Sequence, residues 1–232
     1  MAKPSKRSQQ IEALVDRSKF YPVDDAISLV KQTASAKFDE TVEVAILLGV
    51  DARKSDQNVR GSALLPRGLG KTIRVAVFAS GDKVQEALDA GADIVGLEDL
   101  IEDIQNDKID FDSCIAEPDA MKLVARVGRK LGPRGLMPNP KTGTVRSDIA
   151  QAVQEAKAGK VDFRIDKAGI VHCGIGKASF ETDALTENLK ELLRALKRAQ
   201  PAAAKGQYIR KVSLSTTMGP GVKVDAVELA RI

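Results

Sequence analysis

The first 67 residues contain one clear strand pattern and no partner for it. Residues 41–50 (TVEVAILLGV) have the apolar, β-branched composition of a strand, whereas residues 9–19 and 23–33 have helical periodicity. A strand needs neighbours to satisfy its backbone groups, so it does not stand alone. Further strand patterns occur at residues 161–165, 170–173 and 208–217. We therefore predict a discontinuous domain that is built from both ends of the chain.

The middle of the chain has a different pattern. Short apolar runs at residues 72–79, 93–95 and 113–116 alternate with helical segments at 82–90, 98–106 and 119–130. This alternation is typical of a small parallel sheet that is covered on both faces. We predict that residues 68–159 form an inserted domain, and that residues 1–67 and 160–232 form the discontinuous one, with an amphipathic helix over 183–198. Two chain crossings between them would make a hinge.

The charge of the chain follows the same division. The net charge of +4 at pH 7 is too small to identify a nucleic-acid partner by itself. Residues 1–67 carry +2 and residues 160–232 carry +5, whereas residues 68–159 carry −3. The ends are thus the better candidates for contact with a polyanion. Only six Phe and two Tyr are present, which argues against RNA recognition by stacked rings.

Motifs for catalysis, metals and cofactors are weak. Residues 70–72 (GKT) look like the end of a phosphate-binding loop, but Leu65 stands where that loop needs glycine, and a strand follows instead of a helix. His172 is the only histidine, and it and its neighbour Cys173 point to opposite faces of a strand. We expect no catalytic residue, no metal and no cofactor. The competing class is an enzyme that binds a nucleotide in the middle segment, which calorimetry with ATP, GTP and NAD would reveal.

The chain shows no signs of a membrane or secretory protein. No apolar run approaches the roughly 18 residues of a membrane span, and residues 1–10 are basic and polar without an apolar core after them. Cys114 and Cys173 are 59 positions apart, which is not the spacing of a disulfide framework. We expect a bacterial-type cytoplasm, or an organelle interior descended from one.

Two segments have the composition of ligand contacts. Residues 128–144 (GRKLGPRGLMPNPKTGT) hold four glycines, three prolines and four cations, which suits phosphate binding but also a long ordered connector. Residues 213–221 (SLSTTMGPG) end a strand in hydroxyls before a Gly-Pro-Gly turn. Such a segment can contact ribose 2′-hydroxyls and phosphates, or it is simply a hydroxyl-rich strand end.

Six motifs taken together resemble one protein family. They occur in the family's order and extend over nearly the whole chain, whereas any one of them alone would be unspecific. The motifs are residues 37–43 (KFDETVE), 65–71 (LPRGLGK), 132–141 (GPRGLMPNPK), 166–169 (DKAG), 176–180 (GKASF) and 215–220 (STTMGP). The chain is similar to the bacterial form of the large-subunit ribosomal protein of the mobile lateral stalk, the L-one family.

This resemblance implies a fold and a set of partners. The implied fold class is α/β, with a discontinuous α+β domain that has a mainly antiparallel sheet and an inserted Rossmann-like three-layer α/β domain. The implied partners are large-subunit ribosomal RNA near the exit site for deacylated tRNA, that tRNA during its release, and the leader of the protein's own operon mRNA, where such proteins act as translational repressors. We expect a monomer when free, located on the large ribosomal subunit and without enzymatic activity.

The resemblance also implies site residues. The implied RNA-binding residues are Lys37, Phe38, Thr41, Glu43, Asp166, Lys167, Gly169, His172, Ser215, Thr217, Met218 and Gly219. A second contact with RNA or tRNA would use Arg129, Lys130, Arg134 and Lys141. Some relatives have threonine at the position of Ala168 and relatives often have serine at that of Gly221, so this chain lacks those hydroxyls. A regulatory RNA-binding protein that acts mainly off the ribosome fits the same motifs, and co-sedimentation with large subunits would distinguish the two.

Overall fold

The computed structural model describes residues 5–225. The chain divides into two compact units, Met1–Gly70 with Val161–Ile232, and Lys71–Lys160. Helices α1 to α8 of the described residues span Lys6–Leu14, Val23–Thr33, Asp82–Asp89, Glu98–Gln105, Met121–Val124, Gly128–Leu131, Ile149–Lys157 and Thr182–Arg198. Strands β1 to β9 span Thr41–Leu48, Arg60–Leu64, Val75–Phe78, Ile94–Gly96, Ser113–Ala116, Lys160–Arg164, Ile170–Lys177, Ile209–Thr216 and Val222–Val224.

The first unit is built on a four-stranded antiparallel sheet in the order β7-β1-β8-β9. β1 lies between two strands from the other end of the chain, with Ala45 opposite His172 of β7 and Ser213 of β8. Alternate residues of β1, such as Val44 and Ile46, are buried in a core that also contains the apolar faces of α2 and α8. The predicted pairing of this strand with C-terminal strands is confirmed.

The second unit is built on a parallel sheet in the order β4-β3-β5. All four residues of β3 are buried. Ala76 and Phe78 face a core formed with α4, α5 and α6, whereas Val75 and Val77 face a second core formed with α3 and α7. A central strand that is buried on both faces is expected to be continuously apolar. The predicted α/β class, with one antiparallel and one parallel sheet, is confirmed.

The first 67 residues contain a second strand, so the prediction of a single strand there is wrong. β2 pairs with β6, again from the C-terminal part of the chain. The ring of Phe163 lies over Gly61, where a Cβ atom would come within 2.8 Å of the ring. Glycine and serine in β2 lower its strand propensity, and the pairing is stabilised by this close approach instead.

Helix α7 is absent from the sequence prediction. It begins after Asp148, whose side chain accepts the N–H of Gln151 at 3.1 Å. Ile149 and Val153 then turn the same face toward the core. An N-cap aspartate followed by apolar residues at helical spacing is the signal that could have identified this helix.

Two predicted helices have the wrong bounds. The helix expected over 9–19 begins earlier, where the Ser5 side chain caps it, and is followed by a turn in which Asp16 accepts the N–H of Ser18 at 2.9 Å. Short polar side chains of this kind compete with helix continuation. The helix expected over 119–130 is instead α5, a 3-10 turn and α6, because β-branched residues and Gly128 weaken a regular helix.

Asn188 of α8 links the segment after β2 to the core of the first unit. Its side chain is fully buried. The amide nitrogen donates to the carbonyls of Gly68 at 3.0 Å and Ile175 at 2.8 Å, and the amide oxygen accepts the N–H of Arg67 at 3.0 Å. Both ends of the amide are therefore satisfied, which is the condition for burying such a group without a large penalty.

Replacement of this amide by a carboxylate tests its role. Asn188→Asp removes both donated hydrogen bonds and places a charge next to two carbonyl oxygens. We expect the free energy of unfolding at pH 7 to fall by roughly 2–4 kcal/mol in urea denaturation. The control Glu187→Gln alters an adjacent exposed ion pair with Arg67 and should cost less than about 1 kcal/mol. Similar losses in the two variants would contradict this assignment.

Candidate nucleic-acid interface

The face of the four-stranded sheet that points away from α2 and α8 is polar; we call it the outer face. It consists of Ile170, His172, Gly174 and Lys177 of β7, Thr41, Glu43, Ala45 and Leu47 of β1, Lys211, Ser213 and Ser215 of β8, and Lys223 of β9. These residues are all exposed or half-buried. Three lysines and one carboxylate give the outer face a positive charge, and its remaining polar groups are mainly hydroxyls.

Thr217 continues the outer face at one end, which we call the Thr217 end. The N–H of Thr217 donates to the carbonyl of Thr41 at 3.0 Å, and its Oγ1 accepts the N–H of Thr41 at 3.0 Å. Lys177 Nζ donates to Thr41 Oγ1 at 2.9 Å. In the next row, Glu43 lies opposite Ser215. The structure thus brings together four of the predicted residues at this end.

A buried carboxylate holds the Thr217 end in place. Glu40 is 1% exposed, and its two oxygens accept the N–H of Ala36 at 2.9 Å and the N–H of Met218 at 3.0 Å. Its carbonyl accepts the N–H of Ala178 at 2.8 Å. One residue therefore joins the loop before β1 to the turns that follow β7 and β8. Burial by itself would raise the pKa of the Glu40 carboxyl, but the backbone donors, Ala36 first, hold it below its usual value.

Two exposed apolar side chains flank this end. Phe38 is 56% exposed and Met218 is 54% exposed. Gly219 follows in a turn so tight that a Cβ atom there would lie 2.3 Å from Thr216 Oγ1. Lys37 is exposed on the loop that carries Phe38. Apolar groups presented beside hydroxyls and a cation can cover a sugar or an unstacked base while the polar groups contact the backbone.

Asp166 organises the turn between β6 and β7 at the opposite end of the outer face, which we call the Asp166 end. Its Oδ1 accepts the N–H groups of Ala168 and Ile170, both at 2.8 Å. The Ile170 donor is the main cause of a lowered pKa of the Asp166 carboxyl. Asp166 Oδ2 lies 3.6 Å from His172 Nε2, and Lys167 is exposed in the turn. The Thr217 end and the Asp166 end are separated by six residues of β1, a distance of about 20 Å. The predicted RNA-binding residues therefore form two groups.

Gly169 has a structural part in this turn. It is buried and has a φ of 84°, which favours glycine. Its carbonyl accepts the N–H of Leu48 at 2.9 Å, and its N–H donates to the Asp166 carbonyl at 3.2 Å. Both of its backbone groups are therefore used within the protein, and its contribution to a ligand site is to shape the turn.

The four predicted cations of the second unit have different environments. Arg129, Arg134 and Lys141 are exposed. Lys130 Nζ instead lies 2.8 Å from Asp107 Oδ2 and donates to the Gln105 carbonyl at 2.7 Å. The segment that carries them is ordered by α6 and by a 3-10 turn, Pro140–Thr142. Three of these cations are thus accessible to a ligand.

Sequence reasoning missed several residues of the outer face. Lys211 and Ser213 lie on the same side of β8 as Ser215, which period-two alternation along the strand could have shown. Lys177 lies within one of the six motifs but was not predicted to bind RNA. Nothing in the sequence marks Glu40 as buried, because an isolated carboxylate is normally exposed.

The second unit lacks the arrangement of a phosphate-binding loop. Lys71 Nζ is 2.5 Å from Asp112 Oδ1, and the chain enters β3 directly after this segment. At the carboxyl end of β5, where open α/β sheets bind nucleotides, Glu117 is buried in an ion pair with Lys83. A buried carboxylate at this position opposes phosphate binding.

The two cysteines are buried in separate units. Burial raises the pKa of the Cys173 thiol to about 12 and also raises that of Cys114. Among residues 5–225, no group of three His, Cys, Asp or Glu side chains is arranged to hold a metal ion. The helices in this part of the chain are too short or too polar to cross a membrane.

The chain belongs to the Ribosomal protein L1p/L10e family, whose family model matches residues 30–220. The resemblance carried by the six motifs is therefore confirmed. The chain is similar to the large ribosomal subunit protein uL1 of Nitrosomonas eutropha, with 60% identity over 225 residues and 97% of each chain covered. It is equally similar to the uL1 proteins of Burkholderia mallei and Burkholderia thailandensis, with 60% identity over 230 residues and 99% of each chain covered.

The role of the Glu40 carboxylate can be tested by pH. Because its pKa is lowered on folding from about 4.5, the stabilisation is complete above that pH and is lost as the pH falls through the folded-state pKa. Glu40→Gln turns an accepting oxygen into a donor that faces a backbone N–H. We expect a loss of about 1–3 kcal/mol in the free energy of unfolding at pH 7, and a smaller loss below pH 4.

The matched control is Glu43→Gln, which neutralises an exposed carboxylate three positions along the chain. It should leave the free energy of unfolding within about 0.5 kcal/mol of the wild type. Urea denaturation at several pH values measures both variants, and a Glu40→Gln loss that does not change with pH would contradict the assigned role.

Proposed function

We propose that this protein is a component of the large ribosomal subunit and binds ribosomal RNA through its outer face and Thr217 end. The observation that carries the proposal is the convergence of Thr41 and Thr217, 176 positions apart, in one hydrogen-bonded row with Lys177 beside them. The family and its curated relatives, named as large ribosomal subunit proteins, support ribosomal RNA as the partner of this row. The proposed function involves no chemical reaction.

The outer face can recognise RNA by two kinds of contact. Lys177, Lys211 and Lys223 provide a phosphate attraction that falls with salt concentration. Hydroxyls at Thr217 and Ser215, with the tight backbone turn at Gly219, can contact ribose 2′-hydroxyls and the shape of a folded RNA. A sheet holds these groups rigidly, so little conformational entropy is lost on binding.

We propose two further roles, one in regulation and one in translation. We propose that the same surface binds the leader of the protein's own operon mRNA and represses its translation, since one RNA fold can imitate another. We also propose that the two units act as domains joined by a hinge, and that this chain assists the release of exit-site tRNA in the cytoplasm. The exposed cations Arg129, Arg134 and Lys141 supply the second unit's contact with RNA or tRNA.

The Thr217 hydroxyl provides the first test. Thr217→Val removes the acceptor for the Thr41 N–H and any hydroxyl contact with RNA. We expect binding to deproteinised large-subunit ribosomal RNA to weaken by about 1 kcal/mol or more, measured by filter binding. Thr217→Ser keeps the hydroxyl and should bind nearly as tightly as the wild type. Equal affinity of the valine variant and the wild type would count against the assigned role.

Removal of the second unit provides the next test. Replacing residues 71–160 by a short Gly/Ser linker retains β1, β7 and β8 and the outer face. We expect this shortened protein to fold cooperatively and to bind the same RNA within about tenfold of the full chain, whereas residues 71–160 alone should bind it weakly, since they carry few of the proposed contacts. Tight binding by the isolated middle segment would overturn the assignment of the site.

A further inference from the structure

A cleft of about 520 Å³ lies where the outer face ends, beyond the last residues of β1. Its lining includes Gly49, Lys54, Lys205 and Arg210. Within residues 5–225, none of these three cations forms an ion pair with a carboxylate. Elsewhere in the first unit, cations such as Arg67 and Arg198 do pair with acids. The unpaired set is therefore available to an external anion.

A β-bulge in the four-stranded sheet sets the direction of the Arg210 side chain. Leu47 is opposite Lys211 and Leu48 is opposite Ile209, so Arg210 is the extra residue of a β-bulge. Bulges change the direction of a side chain relative to the strand's alternation. The Arg210 side chain passes close to Gly49. A Cβ atom at Gly49 would lie 3.2 Å from Arg210 Nε and 2.2 Å from a backbone oxygen, so a larger residue would not fit there. The bulge at Arg210 and the absence of a side chain at Gly49 thus determine where the guanidinium group lies.

Among the described residues one carboxylate, Asp51, lines the cleft, and it does not neutralise the three cations. Asp51 Oδ1 accepts the N–H of Arg53 at 3.1 Å within its own turn. The N–H of Asp51 donates to Gln57 Oε1 at 2.7 Å, which orders the same turn. Lys54, Lys205 and Arg210 together with this acid leave the cleft with a net charge of +2. A multiply charged anion such as a phosphate-bearing chain fits this balance.

The cleft is continuous with the Asp166 end of the outer face. The N–H of Leu48, which directly precedes Gly49, donates to the Gly169 carbonyl of the turn that carries Lys167. Lys211 lies on the outer face next to the bulge. Cations therefore continue from the outer face around the end of the sheet and into the cleft.

We propose that this cleft binds phosphate groups of the RNA backbone, so that the RNA is held beyond the Asp166 end as well as at the Thr217 end. The proposal rests on the proposed function and extends its contact area. Phosphate contacts of this kind position an RNA rather than read its sequence. The cleft therefore contributes to affinity and to its salt dependence.

The test uses the full chain and deproteinised large-subunit ribosomal RNA. In the triple variant Lys54→Gln, Lys205→Gln and Arg210→Gln, we expect about tenfold weaker binding at moderate salt. The slope of log affinity against log salt concentration should fall by about two, since each phosphate contact contributes about 0.7 to 0.9. The control variant Lys190→Gln, Arg194→Gln and Lys197→Gln changes charge equally on α8, and it should keep the wild-type slope.

Each outcome decides between explanations. Wild-type affinity and slope in the triple variant would overturn the cleft proposal alone, whereas a wild type that does not bind this RNA would overturn the proposed function. Calorimetry with ATP separates the other source of phosphate: ATP binding that the triple variant loses, with RNA affinity unchanged, would make the cleft a nucleotide site and overturn the RNA assignment. If the triple variant unfolds, Lys54→Gln with Lys205→Gln, two exposed lysines, gives the same test with a smaller expected loss.

Discussion

The pairing of β1 with β7 and β8 is the interaction on which the first unit depends. As the strand between them, β1 satisfies its backbone groups only through segments from the far end of the chain. The same pairing decides which residues are presented outside. A slip of one residue would turn Thr41 and Glu43 into the core and Val42 and Val44 out of it. The same strand register thus places the core residues on one face of the sheet and the proposed RNA-binding residues on the other.

The proposed recognition of RNA uses small polar groups on a rigid sheet. The outer face has no Phe, Tyr or Trp among its strand residues, where His172 carries the one ring, and Phe38 flanks it from a loop. What makes small groups effective is their fixed position, which Glu40 secures by accepting backbone N–H groups from two loops. A buried carboxylate is costly unless its hydrogen bonds are satisfied; here two backbone N–H groups offset that cost, and the same hydrogen bonds order the loops.

The sequence was most informative where local pattern and tertiary structure agree. The bounds of α2 match the predicted 23–33, because its apolar stripe and its acidic first turn favour the same helix. Prediction failed where packing overrides propensity. Strand β2 was missed because it contains Gly61, which has a low strand propensity but allows the close contact with the Phe163 ring.

The candidate site was predictable in the same uneven way. The hydroxyl-rich end of β8 and the lysines can be read from the sequence, and their alternation places them on one face. The separation of the predicted residues into two ends, the structural part of Gly169 and the bulge at Arg210 depend on strand register. Strand register depends on contacts between segments that are far apart in the chain, so no local sequence pattern predicts it.

The long connection between β1 and β7 also affects how the protein is made. About 120 residues separate them, and the second unit lies wholly within that stretch. During synthesis the second unit is completed before either neighbour of β1 is made, and the stretch from β1 to β7 takes on the order of ten seconds at usual elongation rates. An apolar strand is therefore exposed during that interval, and a truncated chain has no outer face. The surface proposed to bind RNA thus forms only as the last strands of the chain emerge.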